Sequence, residues 1–199
     1  MRCTEQRRAD WEARYQQGDL HWDKGEPAPG LVDFLAAQPG LQRGSVVVPG
    51  CGTGHDVRAW VQAGFAATGL DIAPSAVRLA VARTLAADLE AGFHEVDFLN
   101  GTPPQPFDWV FEHTLFCAID PGDRDAYASA VPRWLRPGGN FLAIHYRNPE
   151  QPEGPPFGVS RDEIEARFAG AFELVDAWVP RSFPNRVDRE LMFWWRRRD

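Results

Sequence analysis

Hydrophobic positions along this chain alternate between two kinds of pattern. Ser45-Val46-Val47-Val48 is a short, continuous, β-branched run, the pattern of a strand buried on both faces. Residues 65–70, 92–96, 107–111 and 140–146 carry further short apolar runs, the first two ending at Asp71 and at Asp97-Phe98. Between them the spacing becomes helical. Residues 57–61 continue as a helix stopped near Gly64, and 74–89 place Val77, Ala80, Val81 and Leu85 on one side. A helix over 123–135 closes at Pro137-Gly138-Gly139. Strand and helix thus alternate five times, which predicts an α/β fold with a parallel sheet and helices on both faces.

The two ends add to this frame. Residues 4–17 read as a polar helix with Trp11 and Tyr15 on one face. Leu31, Phe34 and Leu35 have helical spacing, ended by Pro39-Gly40. A loop rich in Pro, Gly and acidic residues over 147–158 leads to a helix over 161–168, with Ser160 as N-cap and Glu163 three residues on. Runs at 172–179 and 190–195 predict an antiparallel edge hairpin. The 199 residues support one core, so a single domain over 1–199 is expected.

Charge narrows the partners. A formal net charge of −7 and a pI near 5.2 argue against nucleic acid and anionic membranes. Arg196-Arg197-Arg198, the one basic run, reads as a solvated strand end. Cys3, Cys51 and Cys117 have neither disulfide nor zinc spacing, and no His/Asp cluster has metal spacing, so no metal is expected. With no signal-like or membrane-length apolar run, a cytoplasmic monomer acting on a small molecule is the expectation.

The candidate chemistry sits at strand ends, where open α/β sheets bind ligands. Gly50-Cys51-Gly52-Thr53-Gly54 follows the first strand, Asp71 ends the second and Asp97 ends the third. A carboxylate ending the second strand can accept both ribose hydroxyls of a nucleoside, and a side chain ending the third can reach the adenine edge. Asp71 can equally be read as a helix cap. A dinucleotide loop needs glycine at the position filled by His55, and Asp56 opens the next helix, where an acid disfavours a pyrophosphate. A ligand carrying an amine and a sulfonium fits better, which favours S-adenosylmethionine over a nicotinamide cofactor.

These residues resemble the thiopurine S-methyltransferase family, in the branch holding plant and bacterial halide and thiol methyltransferases. The similarity runs through Trp11-Glu12-x-x-Tyr15, Trp22-Asp23-x-Gly25-x-Pro27, Val48-Pro49-Gly50-Cys51-Gly52-Thr53-Gly54-His55-Asp56 and Gly69-Leu70-Asp71-Ile72. The most specific stretch is Thr114-Leu115-Phe116-Cys117-Ala118-Ile119-Asp120-Pro121; Gly154-Pro155-Pro156-Phe157 and Glu190-Leu191-x-x-Trp194 complete it. The resemblance implies a class I methyltransferase fold, Rossmann-like, with a seven-stranded sheet and an N-terminal helical lid. It implies cofactor contacts from Trp11 and Trp22 at the methionine end and from Gly50, Cys51 and Gly52 beneath it. Asp71 and Ile72 would meet the ribose, Asp97 and Phe98 the adenine, with Thr114 on the neighbouring wall. The chain departs from the family pattern at Tyr15 and around His113.

Methyl transfer from a sulfonium is a direct displacement, so the protein chiefly aligns the reactants and excludes water. Trp11, Tyr15 and Trp22 can face a sulfonium through cation–π attraction, or simply pack the first helix. The expected acceptor is a small soft nucleophile: a thiol, thiopurine, halide or chalcogen compound. His113 is a candidate base for a thiol, or a polar wall of the acceptor pocket. Tyr146 can orient the acceptor and Arg147 can attract an anionic one. Two alternatives stand beside this reading: a nicotinamide-dependent oxidoreductase, and a protein that binds S-adenosylmethionine without transferring its methyl group.

Overall fold

A computed structural model describes residues 3–147 and 154–199. The middle of the predicted 147–158 loop lies outside the described residues. The chain runs α1 (Thr4–Gln17), α2 (Pro29–Ala37), β1 (Ser45–Pro49), α3 (His55–Gln62), β2 (Ala66–Asp71), α4 (Pro74–Leu85) and β3 (Gly92–Glu95). It continues through β4 (Phe107–His113), α5 (Arg124–Trp134), β5 (Leu135–Tyr146), α6 (Arg161–Phe168), β6 (Phe172–Trp178) and β7 (Glu190–Arg197).

The described strands form a seven-stranded sheet in the order β3-β2-β1-β4-β5-β7-β6. The first five pair in parallel, and β7 runs antiparallel between β5 and β6. The sequence order of the strands reverses between β1 and β4. A crevice therefore opens there at the carboxyl ends of the strands, which is where the glycine loop leaves β1.

Alternation along the strands fills a core on each side. Val46, Val48, Trp109, Phe111, Leu142 and Ile144 pack with Leu31 and Phe34 of α2 and Val57 and Trp60 of α3. Val47, Val110, Phe141 and Ala143 pack on the other face with Tyr127, Val131 and Trp134 of α5 and Phe168 of α6. Both faces are covered, which is why the strands read as continuous apolar runs. Ser160 caps α6 as expected, accepting from the Glu163 amide at 3.1 Å.

Two boundaries differ from the sequence reading. The helix α4 stops at Leu85 rather than at 89. Pro137-Gly138-Gly139 does not terminate a helix: Leu135 already pairs with Phe107, and the Pro-Gly-Gly stretch lies inside β5 beside a register shift. At the C-terminus the arginines are not merely solvated. Arg197 donates to the Leu135 carbonyl and Arg198 to the Phe172 carbonyl. No helix among the described residues is long and apolar enough to cross a membrane.

His145 occupies an apolar position of β5. Its ring lies 5.0 Å from Phe116, 5.8 Å from Phe193 and 6.2 Å from Phe168, and neither nitrogen has a hydrogen-bond partner among the described residues. Burial, reinforced by the nearby Arg124 cation, pushes its pKa down to about 3. The unfolded chain therefore binds a proton near pH 6.5 that the folded chain refuses until about pH 3, and stability falls with acidification across that window. Replacing His145 by Leu should remove this component of the acid slope and raise stability at neutral pH by about 1 kcal/mol. Urea unfolding of both proteins between pH 4 and 8 measures it; parallel pH profiles would contradict the assignment.

Candidate active site

The floor of the crevice is the loop between β1 and α3. Gly50, Gly52 and Gly54 take φ of 61°, 53° and 81°, a left-handed conformation that other residues adopt only with strain. Gly54 is also the N-cap of α3. A Cβ on Gly50 would lie 3.1 Å from Leu115, so this glycine also permits close approach of the loop after β4.

Asp71 holds this loop in place. One carboxylate oxygen accepts the Gly52 amide at 3.0 Å and the other the Ala73 amide at 2.9 Å. Burial raises its pKa to about 6 against the pull of these donors. Helix capping, the plainer reading of Asp71, is thus part of what it does, and each oxygen keeps a lone pair for another donor.

The roof comes from α1 and the segment after it. Trp22 meets Trp11 edge-on at 5.3 Å and Tyr15 at 5.8 Å. The Arg14 guanidinium lies 5.2 Å from the Trp11 ring centre and 5.8 Å from that of Trp22, so these faces already hold a cation. Helix α1 buries only Tyr15. It is tied down instead by polar contacts: Glu12 accepts from the Ser75 amide at 2.8 Å and its hydroxyl at 2.6 Å, and Arg8 pairs with Glu95.

Asp97 belongs to the same set of ties. Its carboxylate accepts from Thr4 at 2.6 Å, Arg7 at 2.7 Å and Asn100 at 2.8 Å, and these donors hold it below the usual carboxylate range against burial. The residue expected at an adenine edge therefore also anchors the roof helix. Phe98 is buried with its ring stacked on Trp134 at 5.4 Å, so most of it serves the core.

The far end of the crevice is built around the turn after β4. Glu112, fully buried, accepts the Phe116 amide at 2.8 Å, and burial pushes its pKa to about 7. This bond folds the chain back and places Leu115, Cys117 and Ile119 on the cleft wall. Thr114 starts the turn with φ 74°, a strained value for a β-branched residue. Burial raises the Cys117 thiol to about 12, so it stays protonated and unreactive at neutral pH.

His113 stands at this end between two acids. Its Nδ1 lies 3.6 Å from Asp56 and its Nε2 3.3 Å from Glu190, which Arg186 also contacts at 3.1 Å. Burial alone would lower its pKa, but the two carboxylates outweigh it and hold it up at about 9. Glu190 is correspondingly held down at about 2, its burial overcome chiefly by His113. The two carboxylates favour the protonated ring, whereas an Arg186 nitrogen 3.5 Å from the same Nε2 opposes it. The raised pKa favours the polar-wall reading of His113 over the candidate base.

Of the residues proposed from the sequence, Trp11, Trp22, Gly50, Cys51, Gly52, Asp71, Ile72, Asp97, Phe98, His113, Thr114 and Tyr146 line one cleft of about 350 Å³. Arg147 does not; its side chain is exposed and its amide donates to the Arg189 carbonyl. Near Tyr146 and His113 the basic groups lining the cleft are Arg186 and Arg189 instead, the latter 3.5 Å from the Tyr146 hydroxyl. Asp23, Asp56 and Phe183 also line it and were not selected from sequence. They lie on loops or helix ends with no periodic signal, although Asp56 was noted for its charge. No cluster of three or more potential metal ligands occurs among the described residues.

Comparison with known proteins agrees with this geometry. A family model described as thiopurine S-methyltransferase matches residues 6–188. The chain is 36% identical over 157 residues to a probable thiol methyltransferase 2 of Arabidopsis thaliana, covering 78% of this chain and 69% of that protein. It is 31% identical over 192 residues to thiocyanate methyltransferase 1 of the same plant, covering 94% and 84%. Its fold matches a solved 1,6-didemethyltoxoflavin-N1-methyltransferase of Burkholderia thailandensis with a TM-score of 0.76 and 19% identity, over 100% of this chain and 92% of that one.

The charge on His113 is directly measurable. Histidine-selective ¹⁵N NMR should show it titrating near pH 9, and Asp56→Asn should move that midpoint down by about one unit. Because the folded value is raised, the stability His113 contributes is complete below about pH 6.5 and is lost as pH climbs through about 9. A midpoint at or below 6.5 would return His113 to the list of candidate bases.

Proposed function

This chain belongs to the thiopurine S-methyltransferase family, and from that premise we propose how its cleft acts: it methylates a small soft nucleophile that arrives as an anion. It is an S-adenosylmethionine-dependent methyltransferase. Neither the family nor the relatives favour a nicotinamide oxidoreductase or a mere binding protein.

The residues present fit the cofactor. The glycine loop brings backbone close, Asp71 offers two buried oxygens, and Trp11, Trp22 and Tyr15 present aromatic surface that already carries a guanidinium. Asp71 and Ile72 would hold the ribose, Phe98 the adenine side with Asp97 near it, Thr114 the adjoining wall, and Gly50, Cys51 and Gly52 the methionine end. When bound, S-adenosylmethionine supplies a methyl group already activated on a sulfonium.

The charge at the other end of the cleft carries the acceptor reading. With His113 protonated, Arg186 and Arg189 beside it bring three positive charges against Asp56 and Glu190, and the buried Glu112 behind His113, with a pKa of about 7, leaves an excess below one positive charge in a chain of net charge −7. A net positive, partly buried chamber concentrates anions. With His113 already protonated, nothing there matches the task of deprotonating an alcohol or a weakly acidic thiol. The chamber instead suits a nucleophile that is ionised before it enters. Tyr146, beside Arg189, positions it, and Leu115, Ile119 and Phe183 exclude water.

Release of S-adenosylhomocysteine across a panel of acceptors tests this. Hydrosulfide, thiocyanate, iodide and acidic aromatic thiols should react, while neutral amines and alcohols should not; a preference for neutral oxygen or nitrogen acceptors would refute the reading. His113→Gln should raise the KM for thiocyanate by roughly 10-fold and leave cofactor affinity within about twofold. Asp71→Ala should weaken S-adenosylhomocysteine binding by roughly 10- to 100-fold in calorimetry, and unchanged affinity would remove Asp71 from the ribose.

A further inference from the structure

The segment between α1 and α2 carries Trp22 over the cleft, and within it only Ala28, whose amide donates to Asp56 at 2.7 Å, is buried. The part around Trp22 is fixed by the neighbouring carboxylate of Asp23, which is only 12% exposed. Asp23 Oδ2 accepts from the Thr53 hydroxyl at 2.8 Å and from Arg83 at 3.0 Å. Asp23 Oδ1 accepts the Gly25 amide at 2.9 Å and lies 3.0 Å from His55 Nε2.

The donors converge from three elements. Thr53 belongs to the glycine loop, His55 opens α3 and Arg83 ends α4. Arg58 completes the arrangement. It donates to the Thr53 carbonyl at 2.9 Å and to His55 Nδ1 at 2.9 Å. An arginine can only donate, so the shorter Arg58 contact leaves Nε2, 3.0 Å from Asp23 and 3.3 Å from Arg83, as the nitrogen facing the carboxylate. Among the described residues, the side-chain hydrogen bonds from residues 19–27 to the glycine loop, α3 and α4 all pass through Asp23.

We propose that Asp23 is a positioning residue that clips the Trp22 roof to the glycine-loop floor, so that both walls around the methionine end of the cofactor move as one unit. It touches no reacting atom; it acts through Trp22 and Thr53. The proposal rests on the cofactor reading above. It predicts that the roof opens, and cofactor or product escapes, when this carboxylate is lost, while the anion chamber around His113 on β4 and Glu190 on β7 is untouched.

Stopped-flow tryptophan fluorescence on Asp23→Ala and Asp23→Asn tests it, with S-adenosylhomocysteine as the probe. Asp23→Ala should speed dissociation by roughly 10-fold or more and raise the KM for S-adenosylmethionine similarly. The KM for the acceptor and kcat at saturating cofactor should stay within about twofold. Asp23→Asn keeps an oxygen for Thr53 or Gly25 but loses its charge, so it should fall between wild type and Asp23→Ala. Unchanged dissociation in a folded variant, or a fall in kcat and melting temperature without faster dissociation, would overturn the proposal. If Asp23→Ala does not fold, Asp23→Asn alone decides by the same criterion. Wild-type protein that fails to bind S-adenosylhomocysteine would instead overturn the cofactor reading itself.

Discussion

One buried carboxylate ties the molecule's sequence order to its cleft. Asp71 ends β2 and takes amide hydrogens from Gly52, in the loop after β1, and from Ala73, before α4. A buried carboxylate without donors is strongly unfavourable, so these partners must be supplied by whatever lies beside the strand end. Parallel pairing of β1 and β2 puts the first loop there. The left-handed glycines then let that loop turn its amide inward instead of continuing the strand. Cofactor floor, strand register and the start of α4 are thus set by the same contact.

Around this anchor the two ends of the cleft differ in how their charges are matched. At the end proposed for the cofactor, Asp71, Asp23 and Asp97 face or flank the cleft beside Arg7, Arg14 and Lys24, and Asp71 accepts only backbone amides while aromatic rings line the roof. At the acceptor end, Asp56 and Glu190 are present but spent on holding His113 and Arg186. A cationic donor and an anionic nucleophile would therefore each find complementary surroundings and meet between them. A protonated His113 would suit this chemistry better than a base would. Displacement at a sulfonium consumes opposite charges, and a preorganised cation can hold the nucleophile without first removing a proton.

Much of this was legible in the sequence because the legible parts are periodic or local. Strands buried on both faces leave unbroken apolar runs such as Val46-Val47-Val48, and the residues proposed for the cofactor sit directly after those runs. The acceptor chamber is assembled from residues far apart in the chain. His113, Arg186, Arg189, Asp56 and Glu190 come from β4, a loop, α3 and β7, and no spacing rule links them. Arg147 was the basic residue nearest a strand end, but antiparallel insertion of β7 brings Arg186 and Arg189 inward instead. Pro137-Gly138-Gly139 misled in another way: helix-stopping chemistry fits equally well inside a strand whose ladder is already interrupted by a register shift. Glu112 did leave a trace, a lone charge closing an apolar strand, which burial and the Phe116 amide explain.

The distribution of cohesion then says which wall can move. His113 and Glu190 lie on paired strands within the sheet, and the Thr114–Pro121 turn is pinned to it through Glu112 and the buried ring of Phe116. Helix α1 has one buried side chain, Tyr15, and is strongly polar; ion pairs and hydrogen bonds to Asp97, Asp123, Glu95 and Ser75 hold it. Such contacts are individually weak and exchange readily with water, whereas a packed strand opens only with the whole sheet. The less firmly held wall of the cleft is therefore α1, and the more firmly held one is the part built on β4 and β7 around His113 and Glu190. On the proposed reading, a bulky cofactor would pass on the α1 side, while a small acceptor would meet the strand-borne groups.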